Sequence, residues 1–271
     1  MQEVLFNNGV KMPMIGFGTY NLDRQVTKKY VEAALKIGYR MIDTAHYYGN
    51  EAEVGQAIAN SDLDRSEVFV TTKVDTSGYA ATKKLLAESL PKLGGYADMV
   101  IIHWPQSDTL GTWKAMEEAY QAGEIKAIGV SNFNAQQIAD LIKQSQVKPV
   151  LDQIETHMLW QQQKMHAYLT KENIVHESYS PLGEGMRGML SLPELKQLAT
   201  KYHKSTAQIT LRYLLQNNIV VIPKSENIEH IRDNFDIFDF ELTASECEQL
   251  KQLDQRRSIG GWMSSMNEDQ Y

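Results

Sequence analysis

The chain has 271 residues, 42% of them hydrophobic and 23% charged, with a net charge of −7 spread over both signs and no basic stripe. That pattern excludes a nucleic-acid partner recognised through its phosphates, and no run approaches the ~20 apolar residues of a membrane span. Cys247 is the only cysteine, so no intramolecular disulfide forms, and with no signal-like stretch at Met1–Gly9 a cytoplasmic location is expected.

In chain order, Leu5-Phe6, the turn Asn8-Gly9 and Val10-Lys11-Met12 read as a hairpin. Met14–Phe17 reads as a strand and Gln25–Ile37 as a helix stopped by Gly38. Further strands are expected at Met41–Asp43, Val68–Lys73, Met99–His103, Ile125–Val130, Val150–Ile154, Ile174–Ser178 and Ile219–Ile222. Helical patterns fall at Glu51–Ala59, Ala81–Leu93, Thr109–Ala122, Ala135–Lys143 and Gln161–Thr170. Strands in single file with crossover helices imply a parallel sheet, and eight of them imply closure. No linker or charge block interrupts the series, so residues 1–271 read as one α/β domain. The stretch Phe235–Tyr271 carries one more helix, Ser245–Leu253, and a tail that is either a frayed end or a flap over the barrel mouth.

Polar residues stand where three of the strands end. Met41-Ile42 runs into Asp43, with Tyr48 five positions on; Val68–Thr72 ends in Lys73; Met99–Ile102 ends in His103. In a βα-repeat barrel these ends share one face, where catalytic side chains collect. Reducing a carbonyl needs hydride at carbon and a proton at oxygen. A free tyrosine, with a pKa of about 10, is a poor donor at neutral pH. Lys73 beside Tyr48 is expected to lower that pKa, Asp43 to hold Lys73 protonated, and His103 to orient the substrate oxygen. Taken singly, such residues are more often a helix cap, a packed ring or a solvated lysine. Their order at successive strand ends gives them weight. Lys73 has a second functional reading, as the Schiff-base nucleophile of a lyase.

Gly183-Glu184-Gly185-Met186-Arg187-Gly188 matches GxGxxG literally, but it sits late, behind Ser180-Pro181, and not in an early βαβ unit, so a Rossmann site is rejected. The better anion signal is Ile222-Pro223-Lys224-Ser225, leading into a helix from about Asn227. Loops after strands seven and eight, with a helix N-terminus, commonly bind phosphate in barrels.

Three longer motifs resemble the aldo-keto reductase family. They are Gly38–Ala45 followed by Tyr48-Gly49-Asn50-Glu51 and Val54-Gly55, then Gly123–Phe133, then Ile222–Ser225. The closest pattern is that of bacterial members such as the diketogluconate reductases. The resemblance implies a (β/α)8 TIM barrel with an N-terminal hairpin at its bottom and a C-terminal loop over its mouth. It implies NAD(P)H-dependent reduction of aldehydes, ketones or keto-sugars, with Tyr48 as proton donor and Asp43, Lys73 and His103 completing a tetrad. Ser131, Asn132 and Gln153 would hold the carboxamide, Tyr179 would stack on the nicotinamide, and Ser180 and Leu182 would touch the pyrophosphate. Lys224 and Ser225 would take the adenosine phosphate, and Asp233 and Asn234 the adenine. Tyr20, Tyr47, Trp104 and Trp262 would line an aromatic substrate pocket, with no metal.

Two departures bear on the cofactor. His230 stands where the family usually has an arginine six positions beyond the lysine, and Glu226 follows Ser225. NADPH is the family default, yet a neutral histidine and a nearby carboxylate are expected to let NADH serve comparably. A monomer acting on small carbonyl compounds is expected. A rival from another class is a slow, cofactor-sensing binding protein on the same fold.

Overall fold

A computed structural model describes residues 2–185, 188–259 and 266. Strands β1 (Glu3–Leu5) and β2 (Lys11–Pro13) pair antiparallel, with Val4 opposite Met12. The turn between them sends Asn7 to the carbonyls of Pro149 and Asn173, and Asn8 to that of Lys126.

After the hairpin, strand and helix alternate: β3 (Phe17–Gly18), α1 (Arg24–Ile37), β4 (Met41–Asp43), α2 (Glu51–Ala59), β5 (Phe69–Val74), α3 (Tyr79–Lys92), β6 (Met99–Ile102) and α4 (Thr109–Gln121). Then come β7 (Ile128–Ser131), α5 (Ala135–Gln144), β8 (Leu151–Glu155), α6 (Gln163–Lys171) and β9 (Val175–Tyr179). The series ends with α7 (Pro193–Tyr202), α8 (Thr206–Gln216), β10 (Val220–Val221), α9 (Ile228–Phe235) and α10 (Ala244–Lys251). Strands β3 to β10 form one curled sheet of eight parallel strands, each bonded to its neighbour in sequence. The first edge also meets the last. Ile15 bridges Val221 in parallel, Gly16 N–H donates to Val221 O at 2.9 Å, and Gly18 N–H to Pro223 O at 3.2 Å.

The chemistry of the segments explains the pattern. Strands covered on both faces read as continuous apolar runs, and β4 through β8 are buried at every position. Helix α1 starts where Asp23 accepts from Gln25 N–H and stops at Gly38, whose φ of 128° a side chain disfavours. Its buried Thr27, Val31, Ala34 and Leu35 recur at helical spacing. Helices α7 and α8 were not expected from the sequence. Pro193 at the first helical position and the Ser205–Gln208 capping box are the local signals that mark them.

Asp152, on β8, is fully buried, and neither carboxyl oxygen has a hydrogen-bond partner of good geometry. Burial raises its pKa well above the usual carboxylate range, and the Phe133 backbone opposes this only in part. A carboxyl whose pKa is raised by folding loses stability as pH rises from its unfolded value through its folded one. Asp152→Asn should therefore gain stability over the parent as pH is raised from 5 to 8, read as a widening gap in Tm. A gap that stays constant with pH would show that Asp152 does not titrate there.

Candidate active site

The C-terminal ends of the strands open into a cavity of about 530 Å³. Asp43 closes β4, Lys73 sits one residue before the end of β5, and His103 follows β6. Tyr48 comes from a single helical turn, His46–Tyr48, after β4.

Lys73 Nζ donates to Asp43 Oδ1 at 2.5 Å, to Thr44 O at 3.0 Å and to Tyr48 Oη at 3.2 Å. Lys73 is fully buried and does not line the cavity, whereas Asp43, Tyr48 and His103 do. Burial alone would push the Lys73 ammonium down, but Asp43 and Tyr48 override it and hold the pKa above the usual lysine value. The four residues are therefore brought together as their order predicts.

The direction of the Tyr48 shift differs from the sequence-based expectation. Burial pushes the phenol up to about 12, Lys73 pulls down, and the Asp43 carboxylate opposes that pull. The main reason is burial, which disfavours the phenolate; the Lys73 ammonium that opposes it is itself paired with the Asp43 carboxylate, which weakens its field at the hydroxyl. Tyr48 is protonated throughout the neutral range. His103 is pushed down to about 2, first by burial and then by Lys73, so its imidazole is neutral, and its Nδ1 is buried without a partner.

The polar wall opposite is tightly bonded. Ser131 Oγ donates to Gln153 O at 2.7 Å, and Asn132 Nδ2 to His103 O at 3.1 Å. Asn132 Oδ1 accepts from Tyr179 Oη at 3.0 Å, which fixes the ring of Tyr179 against the cavity. Gln153 Nε2 donates to both Asp43 Oδ2 at 2.9 Å and Glu177 Oε2 at 3.0 Å. Ser180 and Leu182 also reach the cavity, and Ser180 Oγ donates to Glu184 Oε1 at 2.5 Å. Gly183–Gly185 forms a short helical turn, with Glu184 in the left-handed region at φ 47°.

The mouth is aromatic. Tyr47 meets Trp104 edge-on with ring centroids 5.8 Å apart, and Tyr20 lies 5.1 Å from Tyr48. Tyr20 and Tyr47 are exposed there, at 43% and 64%. Trp262 lies outside the described residues.

The phosphate end is only partly assembled. Lys224 lines the cavity and is ion-paired to exposed Glu226 at 2.7 Å. Ser225, Glu226, His230, Asp233 and Asn234 do not line the cavity. Ser225 Oγ accepts from Asn227 N–H, His230 and Asp233 face solvent from α9, and Asn234 is buried. Sequence reasoning missed Gly18, Glu184, Leu190 and Glu177. Glu177 had a signal, since it stands two residues before Tyr179 on the same face of one strand. Gly18 had none; the structure supplies the reason for a glycine there, since a Cβ would lie 2.8 Å from Ile222 O.

Among the described residues, no helix is long and apolar enough to cross a membrane. Residues 14–255 match the aldo/keto reductase family. A 9,11-endoperoxide prostaglandin H2 reductase of Trypanosoma cruzi (strain CL Brener) is 40% identical over 264 residues, covering 95% of this chain and 93% of that protein. The methylglyoxal reductase DkgA of Escherichia coli (strain K12) is 38% identical over 261 residues, covering 95% of each. The crystal structure of a Bombyx mori aldo-keto reductase in complex with NADP superposes with a TM-score of 0.89 at 36% identity, covering 95% of this chain and 94% of that one. The strand-end site and these full-length likenesses agree: the chain belongs to the aldo/keto reductase family.

Proposed function

We propose that this enzyme reduces small aldehydes, ketones or keto-sugars to alcohols, with Tyr48 giving the proton. The carrying observation is Lys73 Nζ at 3.2 Å from the Tyr48 hydroxyl, on a cavity that Tyr48 shares with a neutral His103. On this reading the architecture is one (β/α)8 domain, with the hairpin turn bonded under the strands. A bound nicotinamide cofactor would supply the hydride.

The residues present fit such a group. The half-buried ring of Tyr179, pinned by Asn132, offers a flat stacking face, and Ser131, Asn132 and Gln153 stand across from it to hold a carboxamide. Ser180 and Leu182 would flank the pyrophosphate. His103, neutral, would hydrogen-bond the substrate oxygen through Nε2 and aim it at the Tyr48 hydroxyl. Once Tyr48 has released its proton, Lys73 would stabilise the phenolate by charge. The rings of Tyr20, Tyr47 and Trp104 would hold the apolar part of the substrate and exclude water.

The Lys73 lyase reading loses support on two counts: its amine is held as an ammonium by Asp43, and it does not reach the cavity. The test of the reductase is loss of reduced-nicotinamide absorbance with a panel of carbonyl compounds. Tight cofactor binding with no turnover would instead favour the sensing protein.

The cofactor is NADP(H) by family default, with NADH used comparably. Lys224 is the only lysine or arginine lining the cavity among the described residues, and Glu226 neutralises it. His230, an imidazole without the bidentate fork of a guanidinium, takes the arginine's place. We expect kcat/KM for NADPH and NADH to agree within about tenfold, and Glu226→Gln to shift the ratio toward NADPH. A hundredfold NADPH advantage in the parent would overturn this.

A further inference from the structure

We infer that Glu177 is a positioning residue for the reduction, holding Gln153 and through it Asp43, and that it does so with its own carboxyl protonated. The inference rests on the reductase reading above.

Glu177 lies on β9 with no exposure, and it takes no part in the proton path just described. A single amide nitrogen, Gln153 Nε2, donates to Asp43 Oδ2 at 2.9 Å and to Glu177 Oε2 at 3.0 Å. The other carboxyl oxygen, Oε1, is buried without a partner. Asp43 from β4 and Lys73 from β5 are the charges that act on it, and Lys73 is already bonded to Asp43. From β8 comes the neutral Gln153, and from β10 the apolar Val220 that pairs with Glu177 in register. Two carboxylates sharing one neutral donor, out of water, repel unless one of them keeps a proton.

Asp43 has the ammonium, so the proton sits on Glu177. Burial, reinforced by the Asp43 charge, pushes the Glu177 carboxyl up to about 8, against the Gln153 bond and the Lys73 charge. Ionisation would add a second negative charge facing Lys73. Tyr48 would then hold its proton more tightly and become a weaker acid. Tyr48 at about 12 and His103 at about 2 leave the interval between to Glu177.

The test compares the parent with Glu177→Gln, which keeps the acceptor and cannot ionise. Without cofactor, thermal melting is followed from pH 5 to 10. A carboxyl with a folded pKa above its unfolded value costs stability as pH rises between the two, so the parent should lose Tm relative to the variant up to about pH 8. In turnover, kcat/KM of the parent should fall roughly tenfold between pH 8 and 9.5, while the variant stays level. Asp152→Asn, on the neighbouring strand and outside the cavity lining, should keep the parent's fall. If Glu177→Gln does not fold, Glu177→Met removes the same charge and should remove the same fall. A fall that persists in the Glu177 variants, or melting differences independent of pH, overturns the inference. Absence of turnover in every protein at every pH overturns the reductase reading and this role with it, while melting still reports whether Glu177 holds a proton.

Discussion

Tyr48→Phe is expected to lower kcat for carbonyl reduction by about 10³-fold while leaving cofactor affinity nearly unchanged. The substitution removes one oxygen, and that oxygen is the one Lys73 Nζ reaches at 3.2 Å beside His103. Without it, the oxygen of the reduced substrate has no acid to receive a proton from at that position. The ring itself remains and keeps its contact with Tyr20. The residues expected to grip the cofactor, Tyr179, Asn132 and Ser131, make no hydrogen bond to Tyr48. Fluorescence titration with NADPH, alongside steady-state rates on one good aldehyde, separates the two effects. Equal kcat in mutant and parent would remove Tyr48 from the mechanism.

Gly55→Ala should be the most damaging alanine substitution among the glycines whose surroundings are described. On helix α2, a Cβ at this position would lie 1.8 Å from Lys92 O and 2.9 Å from Lys92 C, both backbone atoms at the end of α3. No rotamer relieves a clash between a β-carbon and a main chain, so one helix must move. Glu51 resists that movement: its carboxylate accepts from Thr72 at 2.7 Å, Ser89 at 2.9 Å and Lys92 at 3.1 Å, tying α2 to β5 and α3. The expected loss is at least about 3 kcal/mol, seen as a fall in Tm of roughly 6–12 °C. A variant melting within about 2 °C of the parent would show that the helices yield more easily than this geometry allows. Gly55 belongs to the motif Val54-Gly55, and the close approach of α2 and α3 is a physical reason for a glycine there.

Much of the site was legible because a parallel strand delivers its last residues to one face. Asp43, Lys73 and His103 could be placed from apolar runs alone, and Tyr48 from its position in the following loop. Gln153 and Tyr179 were legible only through motif resemblance, since neither composition nor period says that a buried glutamine faces inward. The phosphate end was less legible. Lys224 was found, but its pairing with Glu226 depends on side-chain geometry two residues apart in a loop.

The sequence by itself determined the order of elements, the strand ends that carry chemistry, and the family motifs, because each depends on neighbours within a few residues. Tertiary structure alone decided the electrostatics. Whether Lys73 acts on Tyr48 as a net charge or as half of a neutral pair depends on Asp43, thirty residues away in the chain and 2.5 Å away in space. The proton on Glu177 depends likewise on Asp43 and on burial, reached through an amide 110 residues from Asp43 in sequence. Coulombic and desolvation energies follow distance and dielectric, and a linear sequence records neither.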